Sequence, residues 1–248
     1  MAVHSKLDFV VDRFRPDVAI IPECAEEGIL RRKAGPRMPD CSMAWIGEDP
    51  NKGLGVFGFG SYSVSLASCY DDRLQLIAPV EVDGPHPFAL LAVWAKNHRA
   101  KRQHPELGSI PQPAAAAPLY RPWFSGRNLV VAGDFNHNVA WDRPRATIRN
   151  HANTISAWES LGLRSCYHSF TGEAQGLETI PTIYWRDRTE DGPTYHIDFA
   201  FLPDRWIRAL RDLEIGTFQE WVATKLSDHV PMLIDLDDEL VDAAADGG

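Results

Sequence analysis

Residues 128–136 read NLVVAGDFN: four apolar side chains, then glycine, aspartate, phenylalanine and asparagine. A short apolar run bounded by turn-forming residues is the pattern of a buried strand. This one delivers Asp134 and Asn136 into the loop at its end. Working outward, acidic residues fall at similar places. TYHIDFAFL (194–202) places Asp198 inside a strand, and VPMLIDL (230–236) begins directly after Ser227-Asp228-His229. Near the start of the chain, DVAIIPE (17–23) is a strand that closes on Glu23.

Between these landmarks the chain is rich in strands. GLGVFGFG, YSVSLAS, LQLIAPVEV and PFALLAVWA alternate apolar runs with turn residues from about 53 to 95, and TIPTIYW (179–185) adds another strand. Helices are fewer. Leu7, Val10, Val11 and Phe14 recur at helical spacing until Pro16 stops them. Ile148, Ala152, Ile155, Trp158 and Leu161 mark a second helical face, closed by Gly162. RAKRQHPELGSIPQPAAAAP (99–118) is polar and then Pro/Ala-rich, and is expected to be a surface excursion. With no internal repeat or linker, residues 1–237 are expected to form one domain, and the acidic segment 238–248 a disordered tail.

Composition narrows the function classes. The chain has 248 residues, 44% hydrophobic, enough for a large core. It has no apolar run of about 18 residues that could cross a membrane, and the start of the chain lacks the apolar segment of a secretion signal. Cys24, Cys41, Cys69 and Cys166 show no paired spacing, which disfavours zinc ligation and is consistent with free thiols in a reducing cytoplasm. The net charge of −9 owes six charges to the last fourteen residues, leaving −3 for residues 1–234. A near-neutral body lacks the broad positive field that grips duplex phosphates without regard to sequence.

Carboxylates at strand ends reach a shared cleft, whereas one within a strand needs a partner, and a histidine is a good one. Glu23, Asp134, Asp198 and Asp228, with one nearby histidine and no thiol cluster, suit a hard cation such as Mg²⁺ or Mn²⁺. Each feature alone has an ordinary explanation. Glu23 could be merely exposed, GDFN a turn with Asn136 left-handed, and His229 a satisfied core histidine. Their joint occurrence points to a site.

The order Glu23, GDFN, HIDF and SDH resembles the endonuclease/exonuclease/phosphatase superfamily over roughly residues 7–236. The resemblance implies a four-layered α/β sandwich of two packed, mostly antiparallel sheets flanked by helices. It also implies a divalent-metal-dependent hydrolase of phosphate esters. Carried over by position, Glu23 and Asp228 serve the metal, and Asp134 orients or deprotonates water with Asn136 holding it or a phosphate oxygen. His229 contacts the scissile phosphate, and Asp198 fixes its tautomer. The implied partner is a phosphate-ester substrate, foremost DNA or RNA.

The sequence departs from the family pattern twice. Family members begin with a strand bearing an asparagine, whereas here a helix follows Met1 almost at once, so that strand is expected upstream. The strand that elsewhere ends in asparagine-threonine-histidine reads AVWAKNH, which either puts Trp94, Lys96 and Asn97 near the phosphate as replacements or leaves Trp94 in the core and Lys96 in solvent. Tyr184 and Trp185 are placed either to stack a base or to sit in the core, and Arg143 and Arg145 to reach phosphate or solvent. Two alternatives therefore stand beside a nuclease: a phosphoesterase for small-molecule or lipid head-group phosphates, and a degenerate member that only binds. Oligomeric state is not legible.

Overall fold

The computed structural model describes residues 7–74, 76–95, 111–143, 150–185 and 189–245. In chain order the elements are α1 (Leu7–Phe14), β1 (Val18–Cys24), α2 (Glu27–Ala34), β2 (Ser42–Asp49), β3 (Lys52–Gly58), β4 (Ser63–Leu66), β5 (Ile77–Asp83) and β6 (Phe88–Trp94). They continue with α3 (Gln112–Phe124), β7 (Leu129–Asp134), α4 (His151–Glu159), β8 (Leu163–Ser165), α5 (Cys166–Thr171), β9 (Ile183–Tyr184) and β10 (Thr194–Tyr195). The last are β11 (Asp198–Pro203), α6 (Asp204–Ile207), β12 (Leu210–Ile215), β13 (Met232–Leu236) and α7 (Asp238–Ala245).

A six-stranded sheet, ordered β4-β5-β6-β7-β11-β8, forms the centre, and only its β6–β7 pair is parallel. Its inner strands are buried on both faces, which is why β6 reads as unbroken apolar sequence rather than alternation. One face carries Leu90, Ala92, Trp94, Ala200 and Leu202 against Ile46, Leu54 and Val56 of a second layer. That layer is built from the ladder β1-β3-β2 and the pair β12-β13. The other face carries Leu91, Val93, Val131, Phe199 and Phe201 against Tyr120 of α3 and Trp158 of α4. On the far side of β1 and β3, Leu7 of α1 and Leu30 of α2 cover Cys24 and Phe57. Helices, sheet, sheet and helices thus make the four layers that the sequence implied.

Three expectations need correction. The Pro/Ala segment is not an excursion throughout. Residues 99–110 lie outside the described residues, but 112–124 form α3, whose Ala115, Ala116 and Ala117 are buried. Alanine is the best helix former, and its small side chain lets the helix backbone lie close on the sheet. TYHIDFAFL is two strands, with His196-Ile197 between them, so Asp198 opens β11 rather than lying within it. Residues 238–245 form α7 instead of a disordered stretch. Val241 is buried, while Asp238 and Glu239 sit in the first turn, where the helix dipole favours negative charge.

Candidate active site

The site grows from the β7–β11 ladder, in which Asp134 and Asp198 are direct partners. Gly133, at φ 136°, makes the approach possible. A Cβ there would lie 2.0 Å from the Val93 carbonyl oxygen of the parallel neighbour β6. Beyond the strand, Asn136 turns left-handed at φ 47°, a conformation asparagine tolerates. That turn lets its backbone N–H and its Nδ2 each donate to the Asp134 carboxylate, both at 2.7 Å. The turn and the site are therefore the same structure.

His229 arrives from the other layer. It pairs with Ile183 through an isolated bridge, while Tyr184 N donates to Asp228 O at 2.8 Å and Val230 N to Thr182 O at 2.9 Å. This places His229 Nδ1 2.9 Å from Asp198 Oδ2. Ligand atoms of Asp134, Asp198 and His229 all lie within 4.8 Å of one another, one such group among the described residues.

The electrostatics follow from burial. Asp134 is 4% exposed, and desolvation, reinforced by the Asp198 charge, raises its carboxyl well above the usual carboxylate range. Burial alone would lower the His229 imidazole. The charge and hydrogen bond of Asp198 outweigh it and bring His229 up to about 9, so it is a cation at neutral pH. A buried acid beside a cationic imidazole separates base and acid roles within one cleft.

Glu23 occupies a bulge in β1 at φ 56°. It is exposed and salt-bridged to Lys52 at 2.9 Å, yet near enough that its charge acts on Asp134. Lys52 also lies 5.8 Å over the Trp94 ring. Trp94 is a core residue at 4% exposure, register partner of Asp134, and so frames the site floor from within. Lys96, Asn97 and Arg145 lie outside the described residues, and Arg143 is exposed. Tyr184 packs on Phe218, 5.0 Å between centroids, whereas Trp185 is 43% exposed.

Two supports were not foreseen. Thr182, fully buried, accepts hydrogen bonds at Oγ1 from the N–H groups of Ile197 and Asp198, at 3.0 and 3.1 Å. Asn138 donates from Nδ2 to Glu178 and to the His196 carbonyl, and His168 Nε2 lies 3.0 Å from Glu178. Together they clamp the loop after Asp134 to the segment before Asp198. Small polar residues in loops carry no periodic signal. The repeated asparagine of FNHN is the one hint the sequence offers.

The donor set fits a divalent cation. Asp134 and Asp198 offer oxygen ligands beside His229, whereas Glu23 and Asp228 lie outside that cluster, and a cation beside Asp134 would restore the charge that burial suppresses. No cysteine belongs to this cluster among the described residues.

A strand-end carboxylate and histidine cluster on a four-layered sandwich defines the class: an α/β sandwich with its polar groups gathered at one sheet edge. More particularly, the fold is one shared with solved nucleases. It is similar to a 3′-5′ exonuclease from Neisseria meningitidis, with TM-score 0.69 and 15% identity over 95% of this chain and 96% of that one. It is also similar to an AP endonuclease from Leishmania major, with TM-score 0.66 and 12% identity over 93% and 81% of the two chains. A third relative in structure is an AP endonuclease from Archaeoglobus fulgidus, with TM-score 0.62 and 14% identity over 95% and 96%. No family model and no curated protein sequence matches the chain.

Proposed function

We propose that the protein is a divalent-metal-dependent phosphodiesterase whose substrate is nucleic acid. The observation that carries the reading is the Asp198–His229 pair closing on the buried Asp134 carboxyl. Asp134, with its proton affinity raised, orients a water and takes its proton as the water oxygen bonds to phosphorus. Asn136 holds that carboxylate in register through two hydrogen bonds. His229, kept cationic by Asp198, faces the phosphoryl oxygens as the bond to the leaving oxygen breaks. Glu23 and Asp228, at the rim of this cluster, would hold Mg²⁺ or Mn²⁺, which when bound would neutralise charge on the leaving group.

Nucleic acid is favoured over a small or lipid phosphate by an aromatic row beside the site. Trp141 lies 4.7 Å from Tyr195, and Tyr195 lies 6.4 Å from the exposed Trp185. Such faces stack bases without regard to sequence. The similar structures support the same reading, being an exonuclease and two AP endonucleases. With a near-neutral body, binding should depend on stacking as much as on phosphate contacts. We read residues 1–237 as a single domain and propose a cytoplasmic location, supported by the scattered spacing of the four cysteines in the sequence. Among the described residues no helix is long and apolar enough to cross a membrane.

The test is hydrolysis of bis-p-nitrophenyl phosphate, single-stranded DNA and duplex DNA with Mg²⁺ or Mn²⁺, with and without EDTA. Metal-dependent cleavage that is abolished by Asp134→Ala and His229→Ala supports the reading. A folded, metal-binding but inert protein would instead be a degenerate member that only binds.

A further inference from the structure

At the opposite end of β7 from Asp134 lies a second concavity, a cleft of about 480 Å³ with no carboxylate cluster. Leu129 at its floor and Asp134 in the active site are the two ends of one strand, on the order of 16 Å apart at about 3.3 Å per residue. The volume falls within the range of small-ligand sites. Four guanidinium groups line it, those of Arg121, Arg127, Arg205 and Arg208. The one lining carboxylate, Asp204, is engaged by Arg164 at 2.9 Å.

The four arginines are not equally committed. Arg127 is tied to Glu81, and Arg205 Nε donates to Asn128 Oδ1 at 2.6 Å. Arg121 and Arg208 are exposed and form no ion pair among the described residues. Counting Arg164 and the carboxylates Glu81, Asp204 and Glu159 that pair here, five positive charges meet three negative ones, in a chain whose net charge is −9. Like charges held around a concavity repel unless an anion lies between them. Guanidinium forks match phosphate oxygens in pairs. The floor, by contrast, is apolar: Phe124, Leu129 and Leu163 are 7%, 4% and 2% exposed.

We propose that this cleft binds a phosphomonoester carrying an apolar or aromatic body, of nucleoside monophosphate size, at a site separate from the catalytic one. Arg121 and Arg208 take the phosphate, and the leucine and phenylalanine floor takes the body. The site stands whether or not the catalytic reading holds, because it shares no residue with it.

Calorimetric titration of the full chain in EDTA tests this, using AMP, adenosine and inorganic phosphate as probes. The expected result is 1:1 AMP binding, tighter than either probe alone and weakened at high salt. The Arg121→Ala/Arg208→Ala pair should lose at least about tenfold in affinity, and Arg208→Gln should lose less. Asp134→Asn should bind AMP as the parent does, and the arginine variants should retain any hydrolysis of bis-p-nitrophenyl phosphate. Affinity lost in Asp134→Asn but kept in the arginine pair would overturn the proposal by placing AMP in the active site. So would the absence of saturable binding up to millimolar AMP. Affinity rising steadily with oligonucleotide length would overturn it in favour of a nucleic-acid track.

Discussion

The Nδ1 atom of His229 lies 2.9 Å from Oδ2 of Asp198, a residue 31 positions away on a different layer of the sandwich. Asp198 is in turn the ladder partner of Asp134, so one carboxylate touches the acid and adjoins the base. Removing it should alter how the histidine titrates before it alters how the chain folds.

In Asp198→Asn, His229 loses the charge that holds its pKa near 9 and returns toward the ordinary value of about 6.5. Hydrolysis that needs the imidazolium should then fall away above about pH 7 rather than above about pH 9. The pH–rate profile of the variant measures this, and an unshifted alkaline limb would remove His229 from the acid role.

Asp134→Ala should cost on the order of 10²–10³ in rate or more, as expected for loss of a group that acts on the reacting atoms. Its thermal midpoint should move little, because relief of a buried, desolvated carboxyl offsets the two hydrogen bonds that Asn136 loses. A rate within threefold of the parent would contradict the role.

Thr182→Val keeps shape but leaves the N–H groups of Ile197 and Asp198 without their acceptor. A lost buried acceptor costs about 1–3 kcal/mol. Urea denaturation should show that loss, and kcat should fall as Asp198 drifts from His229.

Burial, with the nearby His137, lowers His151 to about 3, whereas an unfolded histidine titrates near 6.5. Between those values the unfolded chain holds a proton that the folded chain does not. Stability should therefore fall as pH drops below about 6.5, by about 2 kcal/mol at pH 5, and this contribution should level off near pH 3. His151→Phe, which keeps a ring beside Phe135 and Phe199, should remove that slope from the pH dependence of the urea midpoint.

Much of this was legible in the sequence, and the failures have physical reasons. The run ending at Asp134 is read correctly because a strand buried on both faces is continuously apolar, and the run ending at Glu23 because its half-buried edge strand is still an unbroken apolar stretch bounded by polar residues. Strand β2, SMAWIGED, goes unread because its apolar residues are few and it ends in charge. Its pairing with β3 defines it, not its own pattern. Helix α3 is hidden by prolines and an alanine run that resemble low-complexity sequence, and only burial against β5 and β6 makes it regular. At the site, the residues with chemistry at strand ends are recoverable. Thr182, Asn138 and Glu178 act through hydrogen bonds across the fold, which spacing along a chain cannot encode.

The left-handed Asn136 and the tight Gly133 before it bear on how the site is assembled in time. Residues 23, 134, 198 and 229 come from four widely separated stretches, and they meet only after β7 has entered between β6 and β11. Closing such long loops is slow and comes late in folding. On the proposed function, recovered turnover would therefore be a clock for the last event of refolding, lagging any signal from helix formation, and partly folded chains would stay catalytically silent.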